Sequence, residues 1–299
     1  VYLSGGIVVW LSGSLTASLR GMGDMQFPAI LTVICAGIQV FFSAGFILGY
    51  FGLPKLGLVG SAWSMIVTSS FMAITILIKI SSSSSAVKLK LKSMTFEKEL
   101  FEDIFNVALP ASLSPIMTVA TVLLLTGLIG QFGTSALAGY GIGSRVEFLL
   151  IPIVFGIGTA MTAMVGTNIG AKNIVRAEKI GMIGATTAGL LSAVIGITLA
   201  LTPDLWISIF TSDAATLLVT KQYIQILGIC YIFQGYGLSL YFASQGANAM
   251  KWPIIITAIR LLIFSAGALI SIYWLSYGLE SIFYASALAM VVFGVLMVI

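Results

Sequence analysis

Apolar residues in this chain come in long unbroken blocks, and polar residues are confined to the short intervals between them. Nine such blocks run roughly over 1–19, 28–50, 57–78, 104–130, 136–168, 180–201, 217–244, 253–275 and 281–299. Each is close to the roughly 20 residues with which a helix crosses the hydrocarbon of a bilayer. Helices are the spanning elements that continuous hydrophobicity allows, because a lipid-exposed backbone must satisfy its own hydrogen bonds. The pattern therefore predicts an all-α polytopic membrane protein. Pro110, Pro115 and Pro152 fall inside blocks and predict kinks. Gly133, Gly139, Gly141 and Gly143 predict a loosely wound start to the fifth block. Gly45 with Gly49, and Gly166 with Gly170, have the spacing that lets membrane helices approach closely.

Charge orients the blocks. Arg20, Lys79, Lys88, Lys90, Lys92, Lys98, Lys172, Arg176, Lys179 and Lys251 fall in one alternate set of connections. The other set holds Lys55 and Lys221 with the acidic Asp204, Asp213 and Glu280. The bias assigns the first set to the cytoplasm. One connection is longer: residues 81–93, SSSSSAVKLKLKS, read as a solvated linker. After it Thr95 is the expected N-cap of a new helix, with Glu97 and Glu99 favouring its dipole. The expected organisation is a partial N-terminal bundle at 1–80, a cytoplasmic linker at 81–98 and a second bundle at 99–299.

An internal repeat supports that division. Gly21–Pro28 reads GMGDMQFP and Gly246–Pro253 reads GANAMKWP, with glycine, methionine, an aromatic and proline at the same spacing, 225 residues apart. The same offset brings Ser61, Ala62 and Met65 onto Ser286, Ala287 and Met290. Both copies lie in turns of the cytoplasmic set, so the bundles share an orientation, the parallel kind of repeat seen in secondary transporters, with a central cleft as its natural consequence. On this offset three helices are expected ahead of Val1, which makes the chain helices four to twelve of twelve.

Composition narrows the function classes. Hydrophobic residues make up 59% and charged residues 8%, with a mean hydropathy of +1.11. The net charge of +4 sits mainly in connections, so it indicates membrane orientation and no nucleic-acid partner. With no histidine and only Cys35 and Cys230, zinc sites, Cys/His catalysis and a disulfide framework are poorly supported. The cysteines are expected to pack as small hydrophobes. No GxxxxGK[ST] loop and no paired intramembrane carboxylates are present, so neither an ATPase nor an intramembrane enzyme is expected, and no cofactor or metal.

What chemistry remains is concentrated between Ala136 and Asn173, an apolar, glycine-rich run that holds Arg145 and Glu147 and ends in a polar turn. An ionisable residue in such a run is a functional hypothesis by default. Glu147 either carries the coupling ion or is a fixed partner of Arg260. Arg145, two residues away, faces nearly the opposite side of a helix. Gln39, Thr118 and Gln234 either line a substrate path or bond between helices. Tyr140 and Tyr236, with Phe148, Tyr231, Trp63 and Trp252, either face organic cations or pack.

Four stretches carry a family resemblance: LRGMGDMQFP at 19–28, ALAGYGIGSRVE at 136–147, VGTNIGAKNIVRAE at 165–178 and SQGANAMKWP at 244–253. On them the chain resembles the multidrug and toxic compound extrusion (MATE) family of antiporters. The resemblance implies a twelve-helix, V-shaped, multi-pass protein of the cell (inner) membrane. It would export small organic, often cationic or amphipathic, compounds in exchange for H+ or Na+, and a monomer is expected. The chain departs from the family where coupling is at issue. Thr118 stands where many members have a carboxylate in helix seven, Gln234 about where helix ten often has aspartate, and Gln39 with Ser43 and Ala44 where helix five often has asparagine and Asp-Pro. A lipid-linked oligosaccharide flippase of related fold is the alternative, and it would need a cationic cleft, for which Arg145 and Arg260 are available.

Overall fold

The computed structural model describes residues 2–81 and 97–299, with side chains for 5–81 and 97–299. Residues 82–96, including Thr95 and most of the expected linker, lie outside the described residues. Among the described residues all regular structure is helical, and the chain divides into two compact units, Val1–Phe96 and Glu97–Ile299.

The first unit holds α1 (Tyr2–Gly21), α2 (Gln26–Leu48) and α3 (Leu58–Ser81). Helix α3 packs on both others around Leu19, Leu31, Cys35, Ile76 and Ile80. The second unit holds α4 (Lys98–Gly130), α5 (Thr134–Gly170), α6 (Ile174–Leu201), α7 (Pro203–Ile207), α8 (Ala214–Gly228), α9 (Tyr231–Gly246), α10 (Lys251–Tyr273) and α11 (Glu280–Leu296). Helix α5 packs against α6, α8 and α9, and α10 against α4 and α11. Their shared core includes Ile129, Val146, Tyr223, Ile224, Phe264 and Phe283. Large apolar side chains also cover the outside, with Val33 73% and Leu123 67% exposed, as a lipid-facing surface requires. Helices α2, α3, α4, α5, α6 and α10 are each long and apolar enough to cross a membrane.

Two expectations about helix continuity are corrected. The block at 217–244 is not one helix: α8 and α9 meet at a 56° bend. At the end of α8 the backbones of α6 and α8 come into contact. A Cβ on Gly196 would strike the Gly228 carbonyl oxygen, and one on Gly228 would stand 2.7 Å from the Gly196 carbonyl oxygen. The chain can come that close only without side chains, and α8 ends there. The Cys230 N–H donates to the Leu227 carbonyl at 2.9 Å, and the Cys230 thiol to the Ile226 carbonyl at 3.7 Å. The second correction concerns α5, which is one helix from Thr134 with no loose start. Its Gly143 instead makes room for a neighbour: an added Cβ would lie 2.5 Å from the Tyr223 ring. Pro110, Pro115 and Pro152 do fall inside α4 and α5.

The repeat is reproduced in local geometry. Helices α2 and α10 are both 23 residues long and start 225 residues apart. Ahead of them Gly23 and Asn248 have φ of 87° and 57°. At equivalent places the Asp24 N–H bonds the Leu19 carbonyl at 3.1 Å and the Ala249 N–H bonds the Ser244 carbonyl at 2.9 Å. This is the left-handed cap that closes a helix and turns the chain. The turn between α5 and α6 repeats it, with Lys172 at φ 59° and the Asn173 N–H bonded to the Asn168 carbonyl at 2.8 Å.

Candidate functional site

Within the second unit, α4, α5, α8, α9, α10 and α11 enclose a cavity of about 400 Å³. Glu147 enters it from α5. Across from it α8 presents Tyr223, whose hydroxyl donates to Glu147 Oε1 at 2.5 Å. The Tyr223 ring is 1% exposed and held edge-on by Tyr140 at 5.6 Å and Phe283 at 5.3 Å between ring centroids. Gly143, one turn before Glu147, admits that ring. The carboxylate is thus fixed by a hydroxyl that is itself fixed by packing.

Arg260 of α10 lines the same cavity, with its Cζ 5.0 Å above the Phe293 ring centroid. The ion pairs within 4 Å among the described residues are Lys98–Glu102 and Lys221–Asp204. Glu147 and Arg260 line one chamber and act on each other electrostatically with no ion pair within 4 Å between them, and it is the Tyr223 hydroxyl that touches the carboxylate. Arg145 is exposed and turned away, its Cζ 5.2 Å from the centroid of the Phe210 ring.

Of the uncharged candidates, Thr118, Tyr140 and Gln234 line the cavity. The Thr118 hydroxyl donates to the Ser114 carbonyl of its own helix at 2.9 Å. Gln39 belongs to the first unit, where its amide donates to Ser64 Oγ at 3.2 Å and ties α2 to α3. Tyr236 packs on α6 beside Gly189 and is not part of the lining. Phe148 lines the wall but is 68% exposed, and Trp252 is 73% exposed.

A second void of about 30 Å³, enough for one water or a bare ion, adjoins Glu147 and is lined by Ser192, Tyr231 and Gln234. The Tyr231 hydroxyl and Gln234 Oε1 are buried and make no hydrogen bond of ordinary geometry with described residues, the Tyr231 hydroxyl lying beside that of Tyr223. Buried polar atoms in a native protein normally find partners, so these two mark a place for something polar. Neither Tyr223 nor Ser192 was singled out in the sequence. Tyr223 is one tyrosine among many in apolar blocks, and the 76 residues between it and Glu147 carry no pairing signal.

The MatE family profile matches residues 110–270, which takes in all of the cavity lining except that from α11. The chain belongs to the MatE family. Members of that family are multi-pass membrane transporters and not enzymes. A "Probable multidrug resistance protein NorM" of Thermotoga maritima is 29% identical over 87% of this chain and 56% of its own length. A "Probable multidrug resistance protein YoeA" of Bacillus subtilis is 22% identical over 83% of this chain and 54% of its own. The chain thus spans about half the length of the curated relatives it matches. Among solved structures, a Pyrococcus furiosus transporter of the MOP superfamily, described as having a binding pocket of reverse polarity, superposes with a TM-score of 0.90 at 19% identity, over 99% of this chain and 66% of that one. An outward-facing multidrug resistance MATE transporter gives 0.88 at 19% identity, with the same coverage. The all-α membrane fold expected from the apolar blocks is the fold of these transporters.

Proposed function

We propose that this MatE family protein is a secondary antiporter that exports small organic compounds in exchange for H+ or Na+, with Glu147 as the residue that carries the ion. The observation behind this reading is a carboxylate in the wall of a cavity large enough for an organic molecule, held by the Tyr223 hydroxyl and adjoining an ion-sized void whose buried polar atoms make no hydrogen bond of ordinary geometry. A carboxylate in low-dielectric surroundings changes state when an ion arrives, because its charge is expensive there without a counterion. An organic substrate and an ion that both need the same carboxylate occupy it in turn, and that exclusion couples the two flows. Thr118, Tyr140 and Gln234 are proposed to contact the substrate, and Gln39 and Tyr236 to hold helices together.

The flippase reading is less favoured. It needs several cations around a pyrophosphate, and Arg145 stacks on Phe210 outside the cavity, leaving Arg260 alone.

The test is export of a fluorescent organic cation from proteoliposomes under an imposed proton or sodium gradient. Export should require one of the two gradients, and Glu147→Gln should abolish gradient-driven export. Flux that survives collapse of both gradients would instead identify a channel.

A further inference from the structure

We propose that Tyr241 is a positioning residue for transport: its hydroxyl supplies the hydrogen bond that Pro115 takes from α4, and so fixes the stretch of α4 that walls the chamber. This role goes beyond the transport reading and rests on it, since it concerns the wall of the same chamber.

A proline inside a helix has no N–H for the carbonyl four residues earlier, and its ring pushes that carbonyl aside. Pro115 therefore leaves the Ala111 carbonyl of α4 without its helical donor. In a membrane helix a group freed in this way must be satisfied elsewhere, commonly by a neighbouring helix. Here the donor comes from α9: the Tyr241 hydroxyl donates to the Ala111 carbonyl at 3.3 Å, across 130 residues of chain. Tyr241 is 9% exposed and set edge-on to Phe242, with 6.2 Å between ring centroids, so its hydroxyl is held at that carbonyl by packing.

The bond falls at the joint between two unlike parts of α4. From Lys98 to Leu113 no side chain of the helix is buried in the second unit. Everything that α4 gives to the chamber lies beyond Pro115, at Thr118, Thr121, Val122, Leu125 and Thr126. Helix α4 packs chiefly on α10, and α9 reaches it through the Tyr241 side chain. On α9, Gln234 stands two turns before Tyr241 on the same face and lines the chamber. One face of α9 thus meets the chamber at Gln234 and the joint of α4 at Tyr241. Tyr241, Ala111 and Pro115 are not in the lining, so a change of substrate affinity on losing the hydroxyl must be transmitted through a helix.

The experiment is a double-mutant cycle on Tyr241→Phe and Pro115→Ala. It is read as melting temperature in detergent, and as KM and maximal rate for export of rhodamine 6G from proteoliposomes under a proton or sodium gradient. Pro115→Ala returns an N–H to the Ala111 carbonyl, which is then no longer stranded when the hydroxyl goes. In the wild-type background Tyr241→Phe should lower the melting temperature by about 2–4 °C, the effect of one hydrogen bond. It should also raise KM at least about threefold with little change in maximal rate. In the Pro115→Ala background both effects should fall to half or less. Equal effects in the two backgrounds would overturn the positioning role and leave transport standing, as would a melting effect with no change in KM. Absence of gradient-driven export by the wild-type protein would overturn the transport reading and the positioning role with it. Should Pro115→Ala not fold, amide hydrogen exchange in Tyr241→Phe decides: exchange over 116–121 should quicken alongside the rise in KM while α6 is unaffected, and unchanged exchange there would overturn the proposal.

Discussion

Tyr223 and Glu147, 76 residues apart in the chain, are joined by a 2.5 Å hydrogen bond from the phenol to the carboxylate. Helix α8 is thereby tied to α5 at the one point where α5 carries an acid. Removing either partner leaves the other stranded in an apolar interior, so the two effects should not add. In a double-mutant cycle on thermal denaturation in detergent, Tyr223→Phe and Glu147→Gln should show a coupling of about 1–3 kcal/mol. A coupling near zero would mean that the two side chains do not meet.

Gly143 should be intolerant of a single added methyl group. Its Cβ would lie 2.5 Å from a Tyr223 ring that Tyr140 and Phe283 prevent from yielding. Gly143→Ala is expected to destabilise by about 1–3 kcal/mol, the usual effect of overpacking. Gly141, two residues earlier, has open space around it. Gly141→Ala should be neutral or stabilising by up to about 1 kcal/mol, since alanine is the better helix former. Melting temperatures of the two variants, side by side, provide the check.

Exchanging the charges of Glu147 and Arg260 should not rescue folding. In a contact pair the exchange would recover a loss of about 3–5 kcal/mol, the amount that breaking a buried pair takes away. Here Tyr223 donates to the acid, and it cannot serve an arginine at that position in the same way. The Glu147→Arg, Arg260→Glu double variant is expected to be no more stable than its less stable parent, read by the yield of monodisperse protein.

Asp213 supplies a pH-dependent contribution outside the membrane-spanning segments. Its carboxylate caps α8, accepting from the Thr216 N–H at 2.9 Å and the Thr216 hydroxyl at 2.6 Å, and these bonds hold its pKa below the ordinary 3.8. A depressed carboxylate pKa stabilises the folded state above the unfolded-state value and loses that effect as pH falls through the folded one. Asp213→Ala should therefore lower the melting temperature at neutral pH. The gap to wild type should close only as pH drops below about 3.8.

How far these features could be read from residues alone depended on whether they are local. Helices, and the turn shared by Gly23 and Asn248, follow from short-range rules, and Glu147 stood out because a charge in an apolar run is conspicuous. The break between α8 and α9 did not, because Gly228 is unremarkable until Gly196 is found against it from another helix. The same holds for Tyr223, and for the distance at which Arg260 stands from Glu147. Opposite charges in two apolar blocks suggest a partner, and only the packing of α8 between α5 and α11 decides which side chain arrives first. Gln39 shows the reverse: its amide serves Ser64 in the first unit, the bland outcome that polar groups in membrane helices usually have.

The interruption at Ile229 and Cys230 has an electrostatic consequence of its own. An unbroken helix keeps its partial charges at its two far ends, whereas here the carbonyl end of α8 adjoins the amide end of α9 at the bend. Such adjoining ends carry opposite partial charges that largely offset each other, so the bend beside Tyr231 adds backbone polarity without a net charge, and no change of pH titrates it away.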